Sequence, residues 1–152
     1  MRKYAGITLA IIMGIVATTV ALGQAARPDR SIKYRQAAMY VMNWHARAMN
    51  AMVKGDRPFD KDDFARRAAF VEEISHIPWE GFGPGTETGA KTEAKPEIWK
   101  DPAKFKSEQE KLVTQAGKVV TAAKSGDLAV IRGPFGDLMK TCESCHEAFT
   151  NQ

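Results

Sequence analysis

The chain has little cysteine and little histidine, two and three residues in 152. Two cysteines would ordinarily suggest a disulfide in an exported chain, but these sit three positions apart with a histidine directly after the second. A structural zinc site needs four ligands, and beyond Cys142 and Cys145 there is no third cysteine, with only His45 and His76 to spare. After the first 23 residues no stretch alternates apolar and polar side chains for long enough to form a sheet. There are no internal repeats. No clustered basic face stands out, which argues against a nucleic-acid partner.

What is present is an ordinary globular balance, 44% hydrophobic and 26% charged, with length for one domain. Arg2 and Lys3 are the only charges in the first 23 residues, and without them the net charge falls from +4 to +2. They precede an almost uninterrupted apolar stretch, Ile7 to Leu22, followed by small residues, with Ala21 and Gly23 suited to the third and first positions before a cut. This reads as a signal peptide over residues 1–23, with Gln24 as the mature start and cleavage after Ala25 as the next choice. The competing reading is a retained anchor, but the apolar run of about 16 residues is short of the roughly 20 that span a bilayer. Either way residues 24–152 are expected outside the cytoplasm, with no membrane contact after cleavage.

Four segments carry helical periodicity. The first runs from about Pro28 to Lys54 and stops at Gly55, with Ile32, Met39, Ala46 and Val53 seven apart and Met42 and Met49 in the neighbouring row. The second runs from about Asp60 to Ser75, capped by Asp60 and buried through Phe64, Ala68, Val71 and Ile74. The third runs from about Pro102 to Ser125 behind the cap Asp101, with Phe105, Leu112 and Val119 seven apart beside Gln109, Ala116 and Ala123. The fourth follows Asp127 and turns Leu128, Ile131, Phe135, Leu138, Cys142, Cys145 and Phe149 inward, with a bend or restart expected at Gly133–Pro134. Pro78 to Lys100, rich in Gly, Pro, Thr and Lys, reads as a long surface crossover. The fold class is therefore all-α, an antiparallel four-helix bundle over residues 24–152, with room for a cofactor between facing helices.

The chemistry lies in Cys142-Glu143-Ser144-Cys145-His146. Two thiols one helical turn apart can add to the two vinyl groups on one edge of a haem, and the adjacent histidine then comes up beneath the iron. A redox dithiol would sit at a helix N-terminus, usually after a strand; this pair lies late in the last helical segment. A chance match to a short motif is the third reading. The motif ends six residues before the chain does, so any sixth iron ligand must come from earlier in the sequence.

These residues, together with Lys33-Tyr34-Arg35-Gln36, Lys54-Gly55, Pro58-Phe59-Asp60, Pro78-Trp79, Phe82-Gly83-Pro84-Gly85-Thr86, Pro96-Glu97-Ile98-Trp99 and Gly126-Asp127-Leu128, resemble the class II c-type cytochromes, cytochrome c prime in particular. The resemblance covers essentially the whole of the chain after residue 23. It implies a left-twisted four-helix bundle, often a homodimer through the first two helices. It implies one haem c per chain, held by two thioether bonds at Cys142 and Cys145, with His146 as axial ligand. It implies a periplasmic location and iron that is typically five-coordinate and high-spin. Alignment on the Tyr-Arg-Gln stretch makes Met39 the apolar cover of the distal face and sets Arg35 and Gln36 near the haem propionates. Core packing is the plainer reading of Met39, and an exposed helix charge that of Arg35. The family often has a basic residue four positions after the haem histidine, where this chain has Thr150. His45 and His76 match no haem position and read as surface or packing residues.

Three functions are then open. One is the capture of nitric oxide or carbon monoxide on the face that Met39 covers. A second is electron transfer with an unidentified periplasmic redox partner, through a six-coordinate, low-spin haem if the Met39 sulfur binds iron. A third is a bundle used for interaction alone. No acid–base pair sits near the motif, so an enzyme is not expected.

Overall fold

The computed structural model describes residues 27–151; the expected signal peptide lies outside them. Helices α1 (Pro28–Lys54), α2 (Lys61–Ile74), α3 (Glu97–Lys100), α4 (Pro102–Ala123) and α5 (Leu128–Phe149) follow one another, with a 3-10 turn, Pro78–Phe82, between α2 and α3. Their ends are where local chemistry puts them. The Asp60 carboxylate accepts from the amides of Asp62 and Asp63, Asp101 from Lys104 and Asp127 from Ala129, which satisfies first-turn donors with no helical partner. Gly55 ends α1 at φ 86°, a left-handed conformation in which a Cβ would be strained.

Short loops make α1–α2 and α4–α5 antiparallel neighbours. α2 packs on α4, but α1 and α5 make no extensive backbone contact. Arg132 of α5 reaches the Val53 carbonyl at one end of that seam. At the other end the two helices are splayed, and the space between them is the site described below. The main core is built from Met42, Met49 and Met52 of α1, Phe64, Ala68 and Val71 of α2, Leu112, Ala116 and Val119 of α4, and Ile131, Phe135 and Leu138 of α5. Phe64 and Phe135 meet edge to face at 5.9 Å in its middle.

The structure departs from the sequence expectations in three places. The segment from Pro78 to Lys100 is no surface loop: it carries the 3-10 turn and α3, and buries Pro78, Gly81, Thr86 and Ile98. A second apolar cluster forms under it, joining Ile98 to Phe105 of α4 and Phe149 of α5. Gly81 sits so close to α1 that a Cβ there would lie 2.7 Å from the Ser31 carbonyl oxygen. α5 runs unbroken through Gly133 and Pro134, without a restart; the carbonyl that Pro134 leaves without a partner belongs to Val130, which is half exposed and open to water. On α1 the buried set is Ile32, Arg35, Ala38, Met42, Ala46, Met49 and Met52, whereas Met39 and Val53 are only half-buried. The crossover covers α1 from a second side, so its buried arc is wider than one seven-residue stripe.

Replacing Phe135 with alanine removes a fully buried ring whose neighbours belong to several helices. Denaturant unfolding is expected to show a loss of about 3–5 kcal/mol.

Candidate haem site

A cavity of about 490 Å³ opens where α1 and α5 diverge, a size within the usual range of cofactor sites. Cys142, Cys145 and His146 line it from α5, and Arg35, Gln36 and Met39 from α1. Six residues more than a hundred positions apart in sequence thus share one chamber. Its deeper walls are apolar, with Val71, Leu112 and Leu138 among them. His45 and His76 lie elsewhere. His45 stacks on Phe70 at 4.9 Å and contacts Arg67, and His76 pairs with Glu72 at 3.1 Å.

The α5 side carries the motif on one helical turn. Both cysteines are free and half-buried. Burial pushes the Cys142 thiol pKa up. That of Cys145 is pushed up to about 11, by burial first and then by the charges of Glu108 and Cys142. A redox dithiol needs the opposite, a thiol pKa lowered toward neutrality, so that reading is set aside. Among the described residues no group of three His, Cys, Asp or Glu could hold a metal ion, which leaves zinc without a site. His146 is reached by solvent through the open cavity, yet desolvation by the surrounding walls lowers its pKa. Its imidazole is therefore neutral at pH 7, with a nitrogen lone pair free to bind a metal.

The α1 side carries a buried cation. Arg35 is 2% exposed, and among the described residues no carboxylate lies within ion-pairing distance of it. Its Nη1 donates to the Gly81 carbonyl (2.7 Å), the Thr86 carbonyl (3.0 Å) and Thr86 Oγ1 (3.2 Å), and its Nη2 to Thr92 Oγ1 (3.1 Å). The guanidinium lies 4.5 Å from the centre of the Phe82 ring and 5.4 Å from that of Trp99. Burial lowers its pKa, and Glu87 partly offsets this. Gln36 Nε2 donates to the Lys91 carbonyl at 3.0 Å. The alternative of an exposed helix charge at Arg35 does not hold, because the crossover folds over it.

The residues that sequence reasoning missed lie in that crossover. Lys95 N–H donates to the Phe149 carbonyl (2.9 Å) and Asn151 N–H to the Glu93 carbonyl (2.8 Å), around an isolated bridge between Ala94 and Thr150. Lys95 Nζ caps the Glu147 carbonyl at 2.8 Å. Thr150, which stands where a basic residue was expected, donates its amide and its hydroxyl to the His146 carbonyl, both at 2.9 Å. One segment, residues 92–95, thereby touches both Arg35 and the end of the helix that carries His146. Its only sequence signal is the Thr-, Lys- and Pro-rich composition, which does not distinguish a clamp from a loop.

The donor set suits a haem: two neutral thiols one turn apart, a neutral imidazole beside them, an apolar chamber, and an uncompensated cation at its edge able to face an anionic group. Arg35→Met keeps the side chain's bulk and strands the Gly81 and Thr86 carbonyls. Stability is expected to drop by about 3 kcal/mol, and hydrogen exchange to quicken across residues 81–95 before it does in the bundle core.

The family model described as Cytochrome C' matches residues 30–150. A cytochrome c' of Alcaligenes xylosoxydans xylosoxydans is 40% identical over 126 residues, which are 83% of this chain and 97% of that protein. The crystal structure of cytochrome c' from Rubrivivax gelatinosus aligns with a TM-score of 0.80 at 37% identity, over 83% of this chain and 98% of its own. A variant of cytochrome c prime from Alcaligenes xylosoxidans, solved as its nitric oxide complex, aligns with a TM-score of 0.77 at 38% identity, over 84% of this chain and 98% of its own. Helix order, the splayed α1–α5 seam, the thiol pair on α5 and these likenesses lead to one conclusion: the chain belongs to the cytochrome c' family.

Proposed function

We propose that this chain is a periplasmic haem c protein that captures nitric oxide or carbon monoxide and is also capable of one-electron transfer. The observation that carries the reading is the single cavity walled by Cys142, Cys145 and His146 on α5 and by Met39 on α1. A haem bound there would supply an iron atom able to take the His146 nitrogen as ligand and to bind a diatomic gas.

Each residue has a separable task. The Cys142 and Cys145 sulfurs anchor one haem through two thioether bonds. His146 supplies the axial nitrogen, and Thr150 and residues 93–95 hold its helix end in place. Met39, half-buried, covers the opposite face with an apolar side chain that excludes larger ligands and donates no hydrogen bond to bound oxygen. Arg35 and Gln36 face the propionates. Nothing in this assignment asks a side chain to turn over a substrate, so the role is binding and not catalysis. The nitric oxide complex of a relative 38% identical to this chain supports the choice of ligand.

The location follows from residues 1–23 read as a cleaved signal peptide. No helix among the described residues is long and apolar enough to cross a membrane. The homodimer expected of the family fits the outer seam of α1 and α2, where Tyr34, Val41, Phe70 and Ile77 are each about 40% exposed.

A second reading has an observation of its own. Met39 lines the chamber opposite the helix of His146, so its sulfur could serve as a sixth ligand in a low-spin electron carrier. Optical and electron paramagnetic resonance spectra of the holoprotein separate the two. A high-spin ferric signal and a ferrous spectrum altered by nitric oxide are expected, with Met39→Ala keeping the spin state and binding the gas faster. A low-spin wild type that turns high-spin in Met39→Ala would instead make Met39 a ligand.

A further inference from the structure

Of the seven methionines, Met1 and Met13 fall in the expected signal peptide, which leaves five. Burial sorts these five. Met42, Met49 and Met52 of α1 are 6%, 0% and 1% exposed and pack in the main core. Met39 and Met139 are half-buried, and both line the haem cavity, one from α1 and the other from α5.

These two thioethers are the sulfur left open to oxidation. The chain has two cysteines, and attachment of a haem uses both, so no thiol remains to react first. Met139 stands on α5 one turn before Cys142, on the wall that the attachment engages. Met39 stands across the chamber, over the face proposed for the gas. It is also flanked by amide side chains. Gln36 lies three residues before it and Asn43 four after it, on the same side of α1. Both line the cavity, and Gln36 is already held by the Lys91 carbonyl.

We propose that Met39 is a redox modification site, converted to its sulfoxide by hydrogen peroxide, and that the conversion uncovers the gas-binding face. The proposal rests on the haem reading and adds a regulation to it. In the step, the Met39 sulfur attacks one peroxide oxygen. An S–O bond forms as the O–O bond breaks, sulfur gives up two electrons, and the proton on the transferred oxygen joins the departing hydroxide as water. The product is polar where the thioether was apolar. An unpartnered S–O dipole inside an apolar chamber is costly, so the oxidised side chain turns toward the lip, where the Asn43 amide is placed to donate to its oxygen. The cover that Met39 gave is then lost. A sulfoxide reductase returns the thioether, which makes the change reversible. A leucine here would cover the same face and carry none of this chemistry.

The test treats the ferric holoprotein with hydrogen peroxide at a dose that leaves the haem absorption band intact. Peptide mass spectrometry then maps the methionines, and stopped flow measures carbon monoxide association to the ferrous protein. Met39 is expected to gain one oxygen first, with Met42, Met49 and Met52 unchanged. Association is expected to quicken about fivefold, in proportion to the Met39 sulfoxide. Methionine sulfoxide reductase with a dithiol should return the untreated rate. In Met39→Leu, treated and untreated samples should bind the gas at the same rate as each other. Oxidation of Met139 or of the core methionines ahead of Met39 would overturn the proposal, as would an unchanged rate at full conversion of Met39. An equal quickening in treated Met39→Leu would overturn it too. A wild type that is low-spin before any peroxide is added fails the gas-binding reading itself and takes the proposal with it.

Discussion

A guanidinium buried inside a helical bundle must be satisfied from somewhere, and Arg35 is satisfied by the crossover. Leaving it unpaired would cost several kcal/mol. Three carbonyl or hydroxyl oxygens from residues 81–86 and one from Thr92 take its protons instead. That demand folds a Gly- and Pro-rich segment down on α1, brings Gly81 against the Ser31 carbonyl, and places Phe82 and Trp99 against the cation. Thr92 then accepts from the Ala94 amide as well, and residues 93–95 pair with the end of α5. The wall bearing Arg35 and Met39 and the wall bearing His146 are joined through this one strap.

The wall that α5 gives the chamber carries no charge. Its thiols are protonated and its imidazole neutral, each because burial disfavours the charged form. Arg35 and Glu93 are the charged side chains that line the chamber, and Arg35 has no carboxylate within ion-pairing distance among the described residues. A neutral apolar slot with a cation at its edge matches a flat apolar ring system that carries anionic arms.

α1 works on several faces at once. Its inner arc carries the core through Met42 and Met49, its flank faces the cavity with Gln36 and Met39, its seam with α2 exposes Tyr34 and Val41, and its outer side bears Tyr40, Trp44 and Arg47. A 27-residue helix presents this many surfaces because successive residues step about 100° around its axis. Core and cavity wall are thereby held in a fixed relation by one rigid element.

The sequence alone determined the four long helices, because their caps and apolar periods are local: Asp60, Asp101, Asp127 and Gly55 mark ends that hold to within a residue or two. It also determined that the Cys142 and Cys145 thiols lie one helical turn apart beside His146, since that spacing is local. The tertiary structure decided what depends on residues far apart in the chain. Arg35 looks like any helix arginine until the crossover covers it. Arg47, Arg57 and Arg67 form no run and meet only when α1 and α2 pair. Residues 92–95 look like linker until they latch onto Thr150. Local spacing sets a helix and its faces; which face is buried, and which distant charges become neighbours, is set by packing between elements, and single-sequence periodicity carries no record of that.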